Sequence, residues 1–297
     1  MDRFVVALIL GSTFMHAGWN LLARRQRCET SFFERMLLVT VLAGLVPAAM
    51  SEAAMSEAAT RSLTPIAWAC VVGSGLCCGM YYFFLARAYE SADFTVVYPV
   101  ARSLPVVLVA LGDMVRGRYP SPAGWSGMLL VVSGCFLVSL RSSRDVNVRR
   151  YLDRAHLWML FTALGTVGYT LLDKVAAETM QQGPTTAARY GYVFFLVSYL
   201  AFSVLLRVLG RGEQRPASIG WRDPAIAAAL NFGAYWLVLW AYQLSTFASY
   251  IVALRQFSIV IGVVLALAIF KEKEPGIRLA GTLVITVGLV VVSLFSG

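Results

Sequence analysis

The sequence predicts an all-α membrane protein of ten transmembrane helices, built as two inverted five-helix repeats. Three observations predict it. The chain of 297 residues is 59% hydrophobic with a mean hydropathy of +0.70, too apolar for a water-soluble protein of this length. Its apolar residues gather into ten segments of about 20 residues, the length that crosses a hydrocarbon core. The second half of the chain repeats the first at an almost constant displacement.

The segments follow in order. Segment 1 runs over about Phe4–Ala23 and ends at Arg24, Arg25 and Arg27. A basic residue before an apolar run resembles a signal peptide, but no small-residue cleavage site follows, so the segment is expected to be retained as the first span. Segment 2 spans about Phe32–Met50, and the duplicated MSEAAMSEAAT that follows is a polar linker. Segment 3 is about Leu63–Ala88. Segment 4 is about Phe94–Val115, interrupted by Pro99 and Pro105, and segment 5 is about Pro122–Leu140. The charged loop Arg141–Arg154 separates the halves. Segments 6, 7 and 8 are about His156–Val175, Ala187–Leu209 and Pro224–Leu244. Segment 9 is about Ala248–Phe270 and segment 10 about Ile277–Phe295.

The repeat shows without an alignment. Gly18-Trp19-Asn20-Leu21-Leu22-Ala23-Arg24 matches Gly168-Tyr169-Thr170-Leu171-Leu172-Asp173-Lys174, displaced by 150. Ala88-Tyr89 matches Ala241-Tyr242 and Arg102 matches Arg255, each displaced by 153. Gly127 and Gly134 match Gly281 and Gly288, displaced by 154. Five spans is an odd number, so two consecutive copies cross the membrane in opposite senses. Inverted repeats of this kind build many secondary transporters, with a site near the midplane where the halves meet.

Charge narrows the function. The net charge is +9 and the pI about 9.5, but the arginines cluster in short loops between apolar spans, which sets orientation and does not point to nucleic acid. Two arginines lie inside spans: Arg102 in YPVARSLPVVLVAL and Arg255 in IVALRQFSIVIGVV. A charge there is costly and faces a bundle interior or a water-filled path. A guanidinium pairs with a carboxylate or phosphate through two parallel bonds, so each arginine is a candidate anion contact. A structural link to backbone carbonyls or to an acid such as Glu34 or Asp173 is the other reading. Pro105 frees a carbonyl, and a kink beside Arg102 would present polar backbone to a cavity.

The sequence resembles the drug/metabolite transporter superfamily, in its ten-helix EamA-type branch. The stretches that carry the resemblance are HAGWNLLAR, YPVARSLPVVLVALGDMVRGRYPSPAGWSGMLLVVSG, YTLLDK and YIVALRQFSIVIGVVLALAIFKEKEPGIRLAGTLVITVGL. It implies a basket-like fold with residues 1–141 as the first EamA-type five-helix repeat, 142–154 as a basic connecting loop and 155–297 as the second repeat. It implies a central cavity, with segments 5 and 10 at the back, where Gly127, Gly134, Gly281 and Gly288 allow close backbone approach. One departure stands out. The family often has Gly-Glu after segment 4, where this chain has Gly117-Arg118, and the acid returns only as Glu272.

The candidate substrate-binding residues are His16, Trp19, Asn20, Tyr82, Tyr89, Tyr98, Arg102, Trp236, Tyr242, Arg255 and Gln256. Thr13, His16 and Asn20 share one helix face, which must be satisfied within the bundle. His16 either bonds a neighbouring helix or titrates near neutral pH and couples a proton. The tyrosines and tryptophans either wall a cavity or pack the core and interface. Cys28, Cys70, Cys77, Cys78 and Cys135 contain no CxxC pair and read as small hydrophobes. No HExxH, phosphate loop or GxSxG is present, and Ser74 with His16 is the one conceivable catalytic pair. No catalytic residue, metal or cofactor is implied beyond a coupling proton.

Arg24, Arg25, Arg27, the central loop, Arg211, Arg215, Arg222, Lys271 and Lys273 lie on one side, and Arg3, Arg61, Arg116, Arg118 and Lys174 on the other. The positive-inside rule then places both termini outside, whereas several relatives have both inside. The expectation is a multi-pass protein of a bacterial inner membrane, a monomer or homodimer in the lipid bilayer. It moves a small carboxylate-bearing metabolite, such as an amino acid or a derivative, and the resemblance favours export. Uptake of an organic anion or phosphorylated metabolite, and flipping of a lipid-linked intermediate, stand as alternatives; an intramembrane enzyme comes last.

Overall fold

A computed structural model describes residues 1–24, 29–53, 62–91, 94–139, 154–209, 220–270 and 276–295. Every regular element among them is an α-helix. In chain order these are α1 (Arg3–Arg24), α2 (Glu29–Ala53), α3 (Pro65–Ser91), α4 (Phe94–Val115) and α5 (Pro122–Ser139). The second half gives α6 (Arg154–Thr179), α7 (Pro184–Leu209), α8 (Arg222–Leu244), α9 (Ala248–Arg255), α10 (Phe257–Phe270) and α11 (Gly276–Phe295). Each expected segment is present, with ends shifted by a few residues. The chain between Arg141 and Arg150, with its basic cluster, lies outside the described residues, as do Glu272 and residues 54–61 of the linker, whose first residues, 50–53, continue α2.

Among the described residues, six helical stretches are long and apolar enough to cross a membrane: α1, α3, α7, α8, the joined α9 and α10, and α11. The polarity of the bundle is inverted relative to a soluble protein. Val46, Leu283 and Leu294 are exposed, while Arg102, Asp173, Lys174 and Arg255 are buried. Only an apolar solvent rewards that distribution.

The break in regularity falls elsewhere than expected. α4 runs unbroken through Pro99 and Pro105, and the interruption is at Gln256 in the second half. A proline removes only its own donor, and a packed helix tolerates that loss. At Gln256 the turn tightens: Gln256 N–H donates to Ala253 O at 2.9 Å and Ile259 N–H to Gln256 O at 2.8 Å. These are bonds over three residues, the pattern of a local 3₁₀ turn. The carbonyl of Arg255 is thereby released from the helical ladder.

Packing is strongest between the halves. α3 lies along α6, α1 along α8, and α5 along α11. The α5–α11 contact is made by glycines in reciprocal register. A Cβ at Gly134 would stand 2.7 Å from Gly281 O, and one at Gly281 2.9 Å from Gly134 O. Gly127 and Gly288 repeat the arrangement, at 2.8 and 2.6 Å. Without a hydrophobic drive between helices in lipid, such backbone approach supplies the dispersion contact. α4 ends in a Schellman turn: Gly117 takes φ +75°, its N–H donates to Met114 O at 2.9 Å, and Arg118 N–H donates to Asp113 O at 2.9 Å. The buried Asp113 carboxylate accepts from Ser249 N–H at 2.9 Å, so a side chain of the first half caps α9 of the second.

Gly134→Val is expected to force α5 and α11 apart and to destabilise the protein by about 1–3 kcal/mol, the usual scale of overpacking. Thermal unfolding in detergent checks it. Gly262→Ala, where nothing stands within 4 Å of the added carbon, is the control and is expected to leave the melting temperature in place.

Candidate functional site

A small cavity lies between the halves. α1 contributes His16 and Trp19, α3 Cys78, Tyr81 and Tyr82, and α6 Tyr169. α7 adds Phe194 and Phe195, α8 Asn231, Ala234 and Tyr235, and α9 Arg255. In this conformation it has room for about one water molecule. Its wall is a continuous set of rings: Phe194 stacks on Tyr235 at 4.7 Å, Tyr169 meets Tyr235 edge-on at 5.7 Å, and Tyr81 meets Tyr169 at 5.9 Å. Asn231 Nδ2–H donates to the Tyr82 hydroxyl at 2.9 Å and fixes that ring.

The two buried arginines have different fates. Arg102 Nε–H donates to Gln256 Oε1 at 3.2 Å, and Nη2–H donates to Arg255 O at 3.3 Å and Ser258 Oγ at 3.4 Å. Its Nη1 meets His16 Nε2 at 2.8 Å. The carbonyl that the Gln256 turn releases is the one Arg102 takes. Arg102 therefore ties α4 to α1 and to the α9–α10 break.

Arg255 has no such shell. It is 6% exposed, its Nε is buried without a partner, and no hydrogen bond or ion pair reaches its guanidinium among the described residues. It lies 5.5 Å from the centre of the Tyr235 ring, a cation–π contact. The repeat explains the asymmetry. Gln256 and Ser258, which receive Arg102, correspond to Ser103 and Pro105, and His16 corresponds to Thr166. Shorter side chains and a proline leave the second arginine without acceptors.

Behind Tyr235 stands Asp173, fully buried. Tyr190 O–H donates to its Oδ1 at 2.7 Å, and Ser74 and Tyr235 also bond the carboxyl group. Ser74 thus belongs to Asp173 and not to His16, so the one conceivable catalytic pair is not formed.

About one and a half turns further along α6, Glu178 closes one end of the bundle. Arg116 at 2.5 Å, Arg118, and Lys174 at 3.1 Å surround it. Arg118 also donates to Thr246 O at 2.8 Å, and Lys174 donates to Tyr242 O at 2.8 Å and to Ser245 O. The Schellman turn of α4 aims both arginines there. The Gly117-Arg118 departure acquires a physical sense: the loop supplies the cation and α6 the acid.

The remaining expected residues fall as follows. Trp19 Nε1–H donates to His16 Nδ1 at 3.1 Å, and Asn20 Nδ2–H donates to His16 O at 2.7 Å. Asn20 is buried and its Oδ1 has no partner among the described residues. Tyr242 is buried, and Gln256 serves Arg102. Trp236 turns away from the cavity, donating to Pro184 O at 2.7 Å and stacking with Trp240. The side chains of Tyr89 and Tyr98 lie outside the described residues. Tyr169, Phe194, Phe195, Cys78 and Asn231 were not among the expected contacts. Asp173 was placed only as a partner for an arginine, although an acid inside an apolar segment is itself a signal.

These geometries separate the two arginines experimentally. Arg102→Gln strands Gln256 Oε1, while Arg255 O keeps the Ser258 hydroxyl at 2.9 Å, and is expected to destabilise by about 1–3 kcal/mol. Arg255→Gln removes a buried charge that nothing pairs, and its melting temperature is expected to match or exceed the wild type. Equal losses in both variants, read by thermal unfolding, would count against an unpartnered Arg255.

Among solved structures, 28 chains match. One of them, described as "Crystal structure of protein", superposes with a TM-score of 0.73 over 100% of this chain and 98% of that chain. At 15% sequence identity the likeness carries the fold alone. No curated protein matches. The model of the EamA-like transporter family matches residues 3–140 and again 153–294, nearly the whole chain in two copies. With two family repeats packed around a cavity between them, the chain belongs to the EamA-like transporter family and is a multi-pass membrane transporter.

Proposed function

We propose that the protein is a secondary active transporter of a small carboxylate-bearing metabolite, such as an amino acid or a compound derived from one. In this reading ten spans form two inverted five-helix halves in a bacterial inner membrane. Alternating access moves the substrate past the cavity between them, and export is the direction the family resemblance favours.

The observation that carries the substrate class is Arg255. A guanidinium desolvated among rings, with no acceptor among the described residues, is held at a cost that an arriving anion relieves. A carboxylate matches its planar fork, and the aromatic wall accepts an apolar or ring-bearing body. A phosphate monoester meets the same fork and is the second candidate. The Glu178 cluster supports alternating access. It joins the loop of the first half to α6 and the α8–α9 turn of the second, and ion pairs of this exposure break and re-form at little net cost.

Ligand-induced thermal stabilisation of the purified protein tests the proposal. The panel holds amino acids, organic acids, sugar phosphates, amines and neutral aromatics. A ligand present at about 100 times its Kd stabilises the folded state by about 2.7 kcal/mol. A carboxylate is expected to raise the melting temperature of the wild type and not of Arg255→Gln. Stabilisation by cations or neutral aromatics alone, equal in the variant, would make Arg255 structural and the substrate an amine or drug.

A further inference from the structure

The polar cluster behind the cavity wall has no part in holding an anion. Asp173 accepts from three hydroxyls, one each from α3, α7 and α8: Ser74, Tyr190 and Tyr235. No cation pairs with it among the described residues. The adjacent Lys174 turns to the α8 carbonyls and Glu178, and Arg116, from α4, is also engaged with Glu178. Cys70, Cys77 and Cys78 on α3, Tyr242 on α8 and Tyr169 on its own helix are the other titratable groups around it among the described residues. Arg255, on α9, is the cation across Tyr235.

A carboxylate buried without a cation is held at high cost if it is always ionised. Hydroxyls suit a group that changes state. An O–H rotor donates to a carboxylate and accepts from a carboxylic acid, so this shell serves both forms without repacking. A metal ion would have to stand between these oxygens, whereas here they touch the carboxyl group directly. His16 is poorly placed for the same task. Its Nδ1 faces the Trp19 N–H and its Nε2 faces Arg102, two groups that only donate. Neither ring nitrogen faces an acceptor for a proton there.

Tyr235 links the acid to the anion site. Its hydroxyl bonds Asp173, its face lies under Arg255, and it lines the cavity. The Arg255 charge favours ionised Asp173, and an anion on Arg255 cancels that field. Substrate binding then promotes protonation, and by reciprocity protonation promotes substrate binding.

We propose that Asp173 is the proton-binding site of the transporter, and that it takes up its proton together with a carboxylate held at Arg255. One O–H bond forms on the carboxyl group with a proton from the aqueous phase and breaks on release at the other face. Substrate and proton travel together, and export proceeds when the substrate gradient outweighs the opposing proton gradient. The coupling rests on the carboxylate reading of Arg255; the proton site stands without it.

Infrared difference spectroscopy of the full chain in lipid nanodiscs tests both parts, with benzoate as the probe. Acidification is expected to bring up the C=O band of a buried carboxylic acid in the wild type and in Arg255→Gln, and not in Asp173→Asn. Tyr235→Phe, which keeps the ring and drops the hydroxyl, is expected to move the pH midpoint of that band. At fixed pH, benzoate is expected to strengthen the band and draw protons from unbuffered solution in the wild type only. A band that survives in Asp173→Asn, or no titrating band in the wild type, overturns the proposal. Benzoate that binds and leaves the band unchanged overturns the coupling. Sodium that protects the wild type from heat at constant pH, and not Asp173→Asn, makes the site a sodium site. If benzoate fails to bind while the band titrates, the carboxylate reading fails and the proton site stands.

Discussion

The constraint on which the site depends is that a bundle in lipid must settle its charges from within. Gln256, His16, Ser258 and a backbone carbonyl from the helix that carries Arg255 help to settle Arg102. The tightened turn at Gln256 and the seating of Arg102 are therefore one arrangement. The same local break that gives Arg102 its acceptor carries Arg255 at its edge, with a ring face and no acceptor to hold it among the described residues. Two related halves that differ at the residues facing each arginine thus give one structural cation and one available cation.

Around that pair the bundle divides into a stiff back and an adaptable front. The α5–α11 seam packs backbone against backbone through four glycines, which leaves little room for sliding. At the front, the cavity is walled by rings that meet edge to face, and it is small in this conformation. In the proposed alternating access, a site of this size takes a metabolite only after the halves move apart. The α3–α7 contact, where Gly75 and Gly79 lie against Val197 and Ala201, gives that motion a second close seam to work against.

The ends of the bundle matter as much as its centre. Asp113 caps α9 across the halves, and Glu178 gathers cations from the α4 turn and from its own helix. Both use backbone geometry that ends α4 at Gly117, where φ of +75° demands glycine. Gly117, which the sequence marks only as half of the Gly117-Arg118 departure, is thus what points Arg116 and Arg118.

The sequence by itself determined the membrane class, the segments and the two-copy plan, because hydropathy and internal displacement are one-dimensional properties. It also marked Arg102, Arg255, His16 and the four glycines, since a charge in a span or a paired glycine is conspicuous wherever it packs. Only the tertiary structure decided which arginine is satisfied, that Ser74 serves Asp173, and that the helix breaks at Gln256 and not at Pro105. Those outcomes depend on which side chain of one half lies opposite a given side chain of the other. Gln256 opposite Arg102, and no counterpart opposite Arg255, is a relation between halves 150 residues apart. No local pattern encodes it, because the energy of a buried charge is set by its neighbours in space.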